Sequence, residues 1–163
     1  MAQTPYVLPP YNGFSHDERV ATNPIQRDAL ARGLIQRPDT CSICGFSDPV
    51  DPKGRGYIFL HLEDYRRPLE FLPVCKTCHA ALHARFRAPD RWRAVLDRYA
   101  APECWFMLLT MDPASQTMLF DRIYPAGLPG PWERRWQDSA ARSGDCPNPF
   151  EGTASKPPVL RAE

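Results

Sequence analysis

Four cysteines in two Cys-x-x-Cys pairs have the spacing of metal ligands. The pairs are Cys41/Cys44 and Cys75/Cys78, and 30 residues separate them. Thiolates at such spacings are typical zinc ligands, and four of them complete a tetrahedral shell with no position left for water or substrate. We therefore predict that these four cysteines share one structural zinc ion.

Other uses of the cysteines are less consistent with the pattern. Cys75 and Cys78 could bind zinc together with His79 and His83, as in a zinc finger, but the first cysteine pair would then be unexplained. The six cysteines of the chain could instead form three disulfides. No export signal is visible at the N-terminus, and Cys-x-x-Cys pairs in such a chain favour metal.

Three histidines lie within or next to the cysteine motif. His79 and His83 directly follow the second pair at positions i and i+4, so a helix would place them on one face, where two imidazoles can chelate a second ion. Alternatively, His79 and His83 are two unrelated surface histidines that bind no ion. His61 lies between the cysteine pairs in a β-prone apolar run and is followed by Glu63 and Asp64.

From about Cys41 to Phe86 the chain resembles the zinc-stabilised branch of the HNH endonuclease family. In that branch Cys-x-x-Cys precedes a strand histidine, and Cys-x-x-Cys-His-x-x-x-His ends the motif. The resemblance implies a ββα-metal fold around a catalytic Mg²⁺, Mn²⁺ or Ni²⁺. It also implies that His61 is the general base and that His79 and His83 are metal ligands.

This stretch departs from the family pattern at two positions. Many members carry a ligand just before the strand histidine, where this chain has Leu60, and the family's middle asparagine has no counterpart between Asn23 and Asn148. We expect Asp64, or alternatively Glu63, to complete the metal site. If neither does, a zinc module that binds nucleic acid or protein without catalysis is the alternative function.

An arginine-rich stretch follows the histidine pair His79/His83. The net charge of +1 gives no overall basic field, so DNA binding requires a local patch. Arg85, Arg87 and Arg91 are interleaved with aromatic residues and could contact phosphates. Alternatively, these arginines belong to the ordinary charged faces of amphipathic helices.

The remaining patterns predict an α+β domain: a treble-clef, ββα-metal core with flanking helices. We expect an extended arm over 1–14, a helical region over 15–38 that begins with a Ser15/Glu18 capping box, and the zinc domain over 39–124. Within the zinc domain, apolar runs at 105–111 and 117–124 predict a hairpin. A proline-rich tail follows over 125–163. No apolar run is long enough to span a membrane, so we expect a cytoplasmic protein.

Overall fold

The computed structural model describes residues 6–102 and 104–128. Within these residues the chain forms a small two-stranded sheet surrounded by helices, which confirms the mixed helix and sheet class. In chain order the elements are α1 (His16–Ala31), β1 (Phe59–His61), β2 (Leu72–Val74), α2 (Lys76–Ala84), α3 (Pro89–Tyr99), two short 3₁₀ helices (Trp105–Leu108 and Pro113–Gln116) and α4 (Phe120–Ile123).

Helix α1 begins where the capping-box pattern predicts. The Ser15 hydroxyl accepts a hydrogen bond from the Glu18 amide, and the Glu18 carboxylate accepts one from the Ser15 amide. Reciprocal bonds of this kind satisfy amide groups that have no partner within a helix's first turn. Within the helical region predicted for 15–38, the helix ends at Ala31.

The two strands present His61 to the helix that follows them. Strands β1 and β2 are antiparallel, with Phe59 opposite Val74 and His61 opposite Leu72. Leu72 and Val74 are fully buried, as is Leu82 on α2. Because the chain turns directly from β2 into α2 at Cys75, the hydrophobic contacts that pack the sheet also fix α2 against it.

The predicted C-terminal hairpin is wrong. The first run contains the first 3₁₀ helix, the second run contains α4, and the second 3₁₀ helix lies between them. Consecutive Trp105 and Phe106 are both buried, whereas a strand would send them to opposite faces. Between the runs, the Asp112 carboxylate accepts a hydrogen bond from the Ala114 amide and caps the second 3₁₀ helix.

The N-terminal segment contributes a buried turn to the core. Tyr11 and Phe14 pair across it, with Asn12 and Gly13 at positive φ between them. A side chain at Gly13 would clash with the backbone of Met118, so glycine is required there. Residues 1–5 of the predicted arm and 129–163 of the predicted tail lie outside the described residues. In the described part of the chain, no helix has the length and apolar character needed to cross a membrane.

Candidate functional site

The four predicted zinc ligands come together in a buried cluster. Their sulfurs all lie within 4.8 Å of one another, and Cys44 Sγ is 3.7 Å from Cys75 Sγ. Two sulfurs bound tetrahedrally to zinc at about 2.3 Å are about 3.8 Å apart. This geometry fits one tetrahedral ion, so the cluster could hold a metal such as zinc.

Local backbone structure directs these sulfurs toward each other. Gly45 adopts a positive φ and its amide bonds the Cys41 carbonyl, which closes a tight turn around the first pair. The Ser42 amide then bonds the Pro73 carbonyl and ties this turn to β2. Cys75 is the N-cap of α2, so Cys78 lies on the helix's first turn.

The four thiols shift one another's pKa values in opposite directions. Hydrogen bonds from Cys41 and Cys44 lower the pKa of Cys75, whereas hydrogen bonding with Cys41 raises the pKa of both Cys44 and Cys78. One thiolate is therefore stabilised at the expense of its neighbours. A divalent ion bound by these cysteines would remove this conflict, because it would allow all four sulfurs to be deprotonated together.

Three histidines form a second cluster between β1 and α2. One ring nitrogen of each of His61, His79 and His83 lies within 4.8 Å of the others. The Nε2 atoms of His79 and His83 are 3.0 Å apart, within the roughly 2.9–3.4 Å expected of neighbouring imidazole ligands at about 2.0–2.1 Å from an ion. Phe59 stacks on His79, with ring centroids 4.5 Å apart, and holds that ring in place.

Both helix histidines are neutral at physiological pH. Burial is the main cause that lowers the pKa of His79 to about 3, and the positive charge of Arg19 acts in the same direction. Burial likewise lowers the pKa of His83 well below its ordinary value. A neutral imidazole has the lone pair that a metal ion needs, so the surroundings prepare both rings for coordination.

Behind His61 lies a buried carboxylate, that of Glu63. His61 Nε2 is 2.8 Å from Glu63 Oε1, and the same oxygen accepts a hydrogen bond from the Tyr11 hydroxyl. Asn12 Nδ2 donates to Glu63 Oε2 at 2.6 Å. Arg85 Nη2 donates to Glu63 Oε2 at 3.1 Å, and Arg85 also donates to the Tyr11 hydroxyl. Glu63 and Arg85 are both fully buried, so this is an internal ion pair.

This network keeps Glu63 ionised. Burial by itself would raise the pKa of Glu63, but the positive charge of Arg85 and the hydrogen bond with His61 outweigh burial and lower the pKa to about 2. An ionised carboxylate only accepts hydrogen bonds. His61 Nε2 is therefore the donor in this hydrogen bond, and Nδ1 is the ring nitrogen left for other contacts.

Two of the predicted site residues do not take the predicted positions in the metal site and on the DNA-facing surface. Asp64, the expected further metal ligand, does not join the histidines: its carboxylate accepts hydrogen bonds from the backbone and side chain of Arg66. The neighbouring Glu63 faces His61 instead. The prediction that Arg85 contacts DNA is wrong, because its side chain is buried against Glu63. Arg87 and Arg91 are exposed and remain candidates for phosphate contacts.

Because Arg85 is the counter-ion of a buried carboxylate, removing it should destabilise the fold strongly. We expect Arg85→Met to lower the free energy of unfolding by roughly 3–5 kcal/mol, since Glu63 would be left charged and unpaired. Urea denaturation followed by circular dichroism measures the change. The matched control is Arg67→Met, which breaks the exposed Arg67–Glu70 pair and should cost less than about 1 kcal/mol. Equal effects of the two substitutions would contradict a structural role for Arg85.

Sequence reasoning missed the contribution of the N-terminal turn and α1 to the site. Tyr11 and Asn12 contact Glu63 across some 50 positions of sequence. Arg19 on α1 lies close enough to the histidines to lower their pKa values. The only local signal was the Asn12-Gly13 pair, which indicates a turn but not what the turn contacts.

No protein-family model, curated protein or solved structure matches the chain. Functional inference therefore depends on the site itself.

Proposed function

We propose that the chain is a metal-dependent HNH-type endonuclease that hydrolyses DNA phosphodiester bonds, with a treble-clef, ββα-metal core and a structural zinc bound by the four cysteines. The observation that carries this proposal is the position of His61 on β1, opposite the His79/His83 pair on α2, with all three ring nitrogens within 4.8 Å. The order of two strands and one helix is the one that the HNH resemblance implies.

In this proposal His79 and His83 hold the catalytic divalent ion, which is Mg²⁺, Mn²⁺ or Ni²⁺. When bound by so few protein groups, such an ion acts as a Lewis acid toward phosphate oxygens. Both imidazoles are neutral and partly buried, so they require no proton loss before they bind. The cysteine cluster is closed and supports the fold rather than the reaction.

His61 is proposed as the general base. Its Nε2–H bonds Glu63, so Nδ1 is the atom that accepts the proton of the attacking water. Glu63 fixes the ring orientation and stabilises the imidazolium that forms, as the carboxylate of a catalytic triad does. The same cluster admits His61 as a third metal ligand instead, because a histidine bonded to a carboxylate is also typical of metal sites.

DNA contacts are proposed for the exposed residues Arg87 and Arg91. They follow the histidine helix, and their guanidinium groups suit forked hydrogen bonds to phosphate. Such contacts position the duplex without reading its sequence.

A second candidate function is a non-catalytic zinc module that binds nucleic acid or protein. The observation that favours it is the set of groups around His61: Leu60 offers no ligand atom, and the Asp64 carboxylate is occupied by Arg66. A chain that keeps the four-cysteine cluster but binds no second ion would fit this candidate.

The test of the proposed function is His83→Ala. We expect the wild type to bind Mn²⁺ in titration calorimetry and to nick plasmid DNA, and we expect the variant to lose both, because one of two helix ligands is gone. Loss of one such ligand should weaken ion binding by at least about tenfold. The matched control is His16→Gln, since His16 lies outside the cluster. Unchanged Mn²⁺ affinity in His83→Ala would remove the metal from the proposal and favour the second candidate.

A further inference from the structure

A cavity of about 230 Å³ adjoins the three histidines and reaches α1. Its walls combine apolar side chains from β1 with polar side chains from α1. The lining residues on which the inference depends are Arg19, Asn23, Tyr65 and the three histidines. The cavity is smaller than the roughly 300–1,000 Å³ of typical small-molecule sites, so it suits one compact group rather than a whole nucleotide.

Arg19 is the charged side chain of this cavity. It is 8% exposed. Its Nε donates to the Tyr65 hydroxyl at 3.3 Å and its Nη1 donates to the Pro9 carbonyl. The guanidinium carbon lies 5.3 Å and 5.5 Å from the ring centroids of Tyr11 and Tyr65, respectively, in cation–π contact. These contacts hold the guanidinium in one place.

No carboxylate of the described residues forms an ion pair with Arg19. This is unusual, because buried charges in proteins are normally paired. Arg85, which is also buried, has such a partner in Glu63. None of the described residues that line the cavity is an aspartate or a glutamate.

We propose that Arg19 forms an oxyanion-binding subsite that takes a phosphate group into this cavity, next to the three histidines. A tetrahedral oxyanion would supply the missing counter-charge, and Nη2 makes no hydrogen bond to any other residue that the structure describes. A guanidinium with a free N–H group forms charge-assisted bonds to phosphate oxygens. The identification of this phosphate as a DNA diester rests on the proposed function, whereas oxyanion binding itself does not.

The experiment is titration calorimetry of the zinc-containing protein with inorganic phosphate, with and without Mn²⁺. We expect the wild type to bind phosphate and Arg19→Gln to bind it at least about tenfold more weakly, the loss of one charge-assisted interaction. The matched control is Arg27→Gln, an exposed arginine on the same helix, which should leave the affinity unchanged. A dinucleotide with a single phosphodiester, titrated in parallel, distinguishes free phosphate from a nucleic-acid backbone as the ligand.

A second variant decides the matter if Arg19→Gln does not fold. Asn23→Asp adds a negative charge at an exposed position of the cavity wall, and it should weaken phosphate binding without disturbing the fold. Absence of phosphate binding by the wild type, or equal affinities of the wild type and a folded Arg19→Gln variant, would overturn the subsite. Phosphate binding that depends on Arg19 without DNA cleavage would support the subsite and count against the nuclease. DNA cleavage by the wild type, together with unchanged phosphate affinity in Arg19→Gln, would support the nuclease and count against the subsite.

Discussion

The His61→Ala variant is expected to lose ion-dependent cleavage of plasmid DNA, with a rate about 10²–10⁴-fold below that of the wild type. This is the usual contribution of a positioned general base. In the structure His61 Nε2 lies 2.8 Å from Glu63 Oε1, and one ring nitrogen of His61 lies within 4.8 Å of a ring nitrogen of each helix histidine. Conversion of supercoiled plasmid to nicked and linear forms, followed on gels with Mg²⁺, Mn²⁺ or Ni²⁺, measures the change.

Three further measurements separate the roles that His61 could have. Zinc content should equal that of the wild type, because the four cysteines form a separate cluster. Mn²⁺ affinity should also be retained if His61 is the base, whereas a fall in affinity parallel to the loss of cleavage would make it a third ligand. The remaining role is a purely structural one, since His61 is buried. In that case the substitution would lower the melting temperature without a specific effect on cleavage, and thermal melting tests this.

Cleavage by the wild type is the condition on which this prediction depends. If wild-type protein cleaves neither double-stranded nor single-stranded DNA with any of the three ions, but binds DNA with a strong dependence on salt, the binding module becomes the better account. Salt dependence is the appropriate readout because phosphate contacts release counter-ions.

The cysteine cluster could be predicted from the sequence because its determinants are local. Each Cys-x-x-Cys pair points two sulfurs in one direction through a single turn, and Gly45 and the start of α2 provide those turns. The placement of the two helix histidines side by side could also be predicted, since positions i and i+4 share a helix face. The meeting of the two cysteine pairs with each other, and of His61 with the histidine pair, required a tertiary arrangement that the HNH resemblance implied.

The choice of Asp64 over Glu63 as the expected further ligand shows what local sequence patterns cannot predict. Adjacent acids at the end of a strand point in different directions, and a shift of one residue decides which one faces His61. The structure buries Glu63 and pairs Asp64 with Arg66. Nothing in the sequence near Glu63 indicates that Tyr11, Asn12 and Arg85 would surround it, because those contacts span 22 to 52 positions.

Arg85 was misassigned for the same reason. A charged residue just after an amphipathic helix is normally exposed. Here the buried carboxylate of Glu63 supplies a counter-ion, and the Thr110 carbonyl accepts a further hydrogen bond from Arg85. Both partners are distant in sequence, so the surface position remained the better prediction until the fold was known.

Loss of a single cysteine of the cluster should have the largest effect on stability. We expect wild-type protein to contain one tightly bound zinc per chain, and we expect Cys41→Ser and Cys78→Ser to yield unfolded or insoluble protein. Zinc binding by four thiolates contributes roughly 10–16 kcal/mol of folding free energy in small domains. That is at least comparable with the roughly 5–15 kcal/mol total stability of a typical domain, so a chain without its ion has little left to hold this small core together.

The control for these variants is Ser42→Ala, which alters the same turn without removing a sulfur. The Ser42 hydroxyl donates to the Pro73 carbonyl at 2.7 Å, so its loss should cost about 1 kcal/mol and leave the zinc content unchanged. Elemental analysis gives the zinc content, and circular dichroism during heating gives the stability. A cysteine variant that remains folded without zinc would show that the two pairs do not share an ion on which the fold depends.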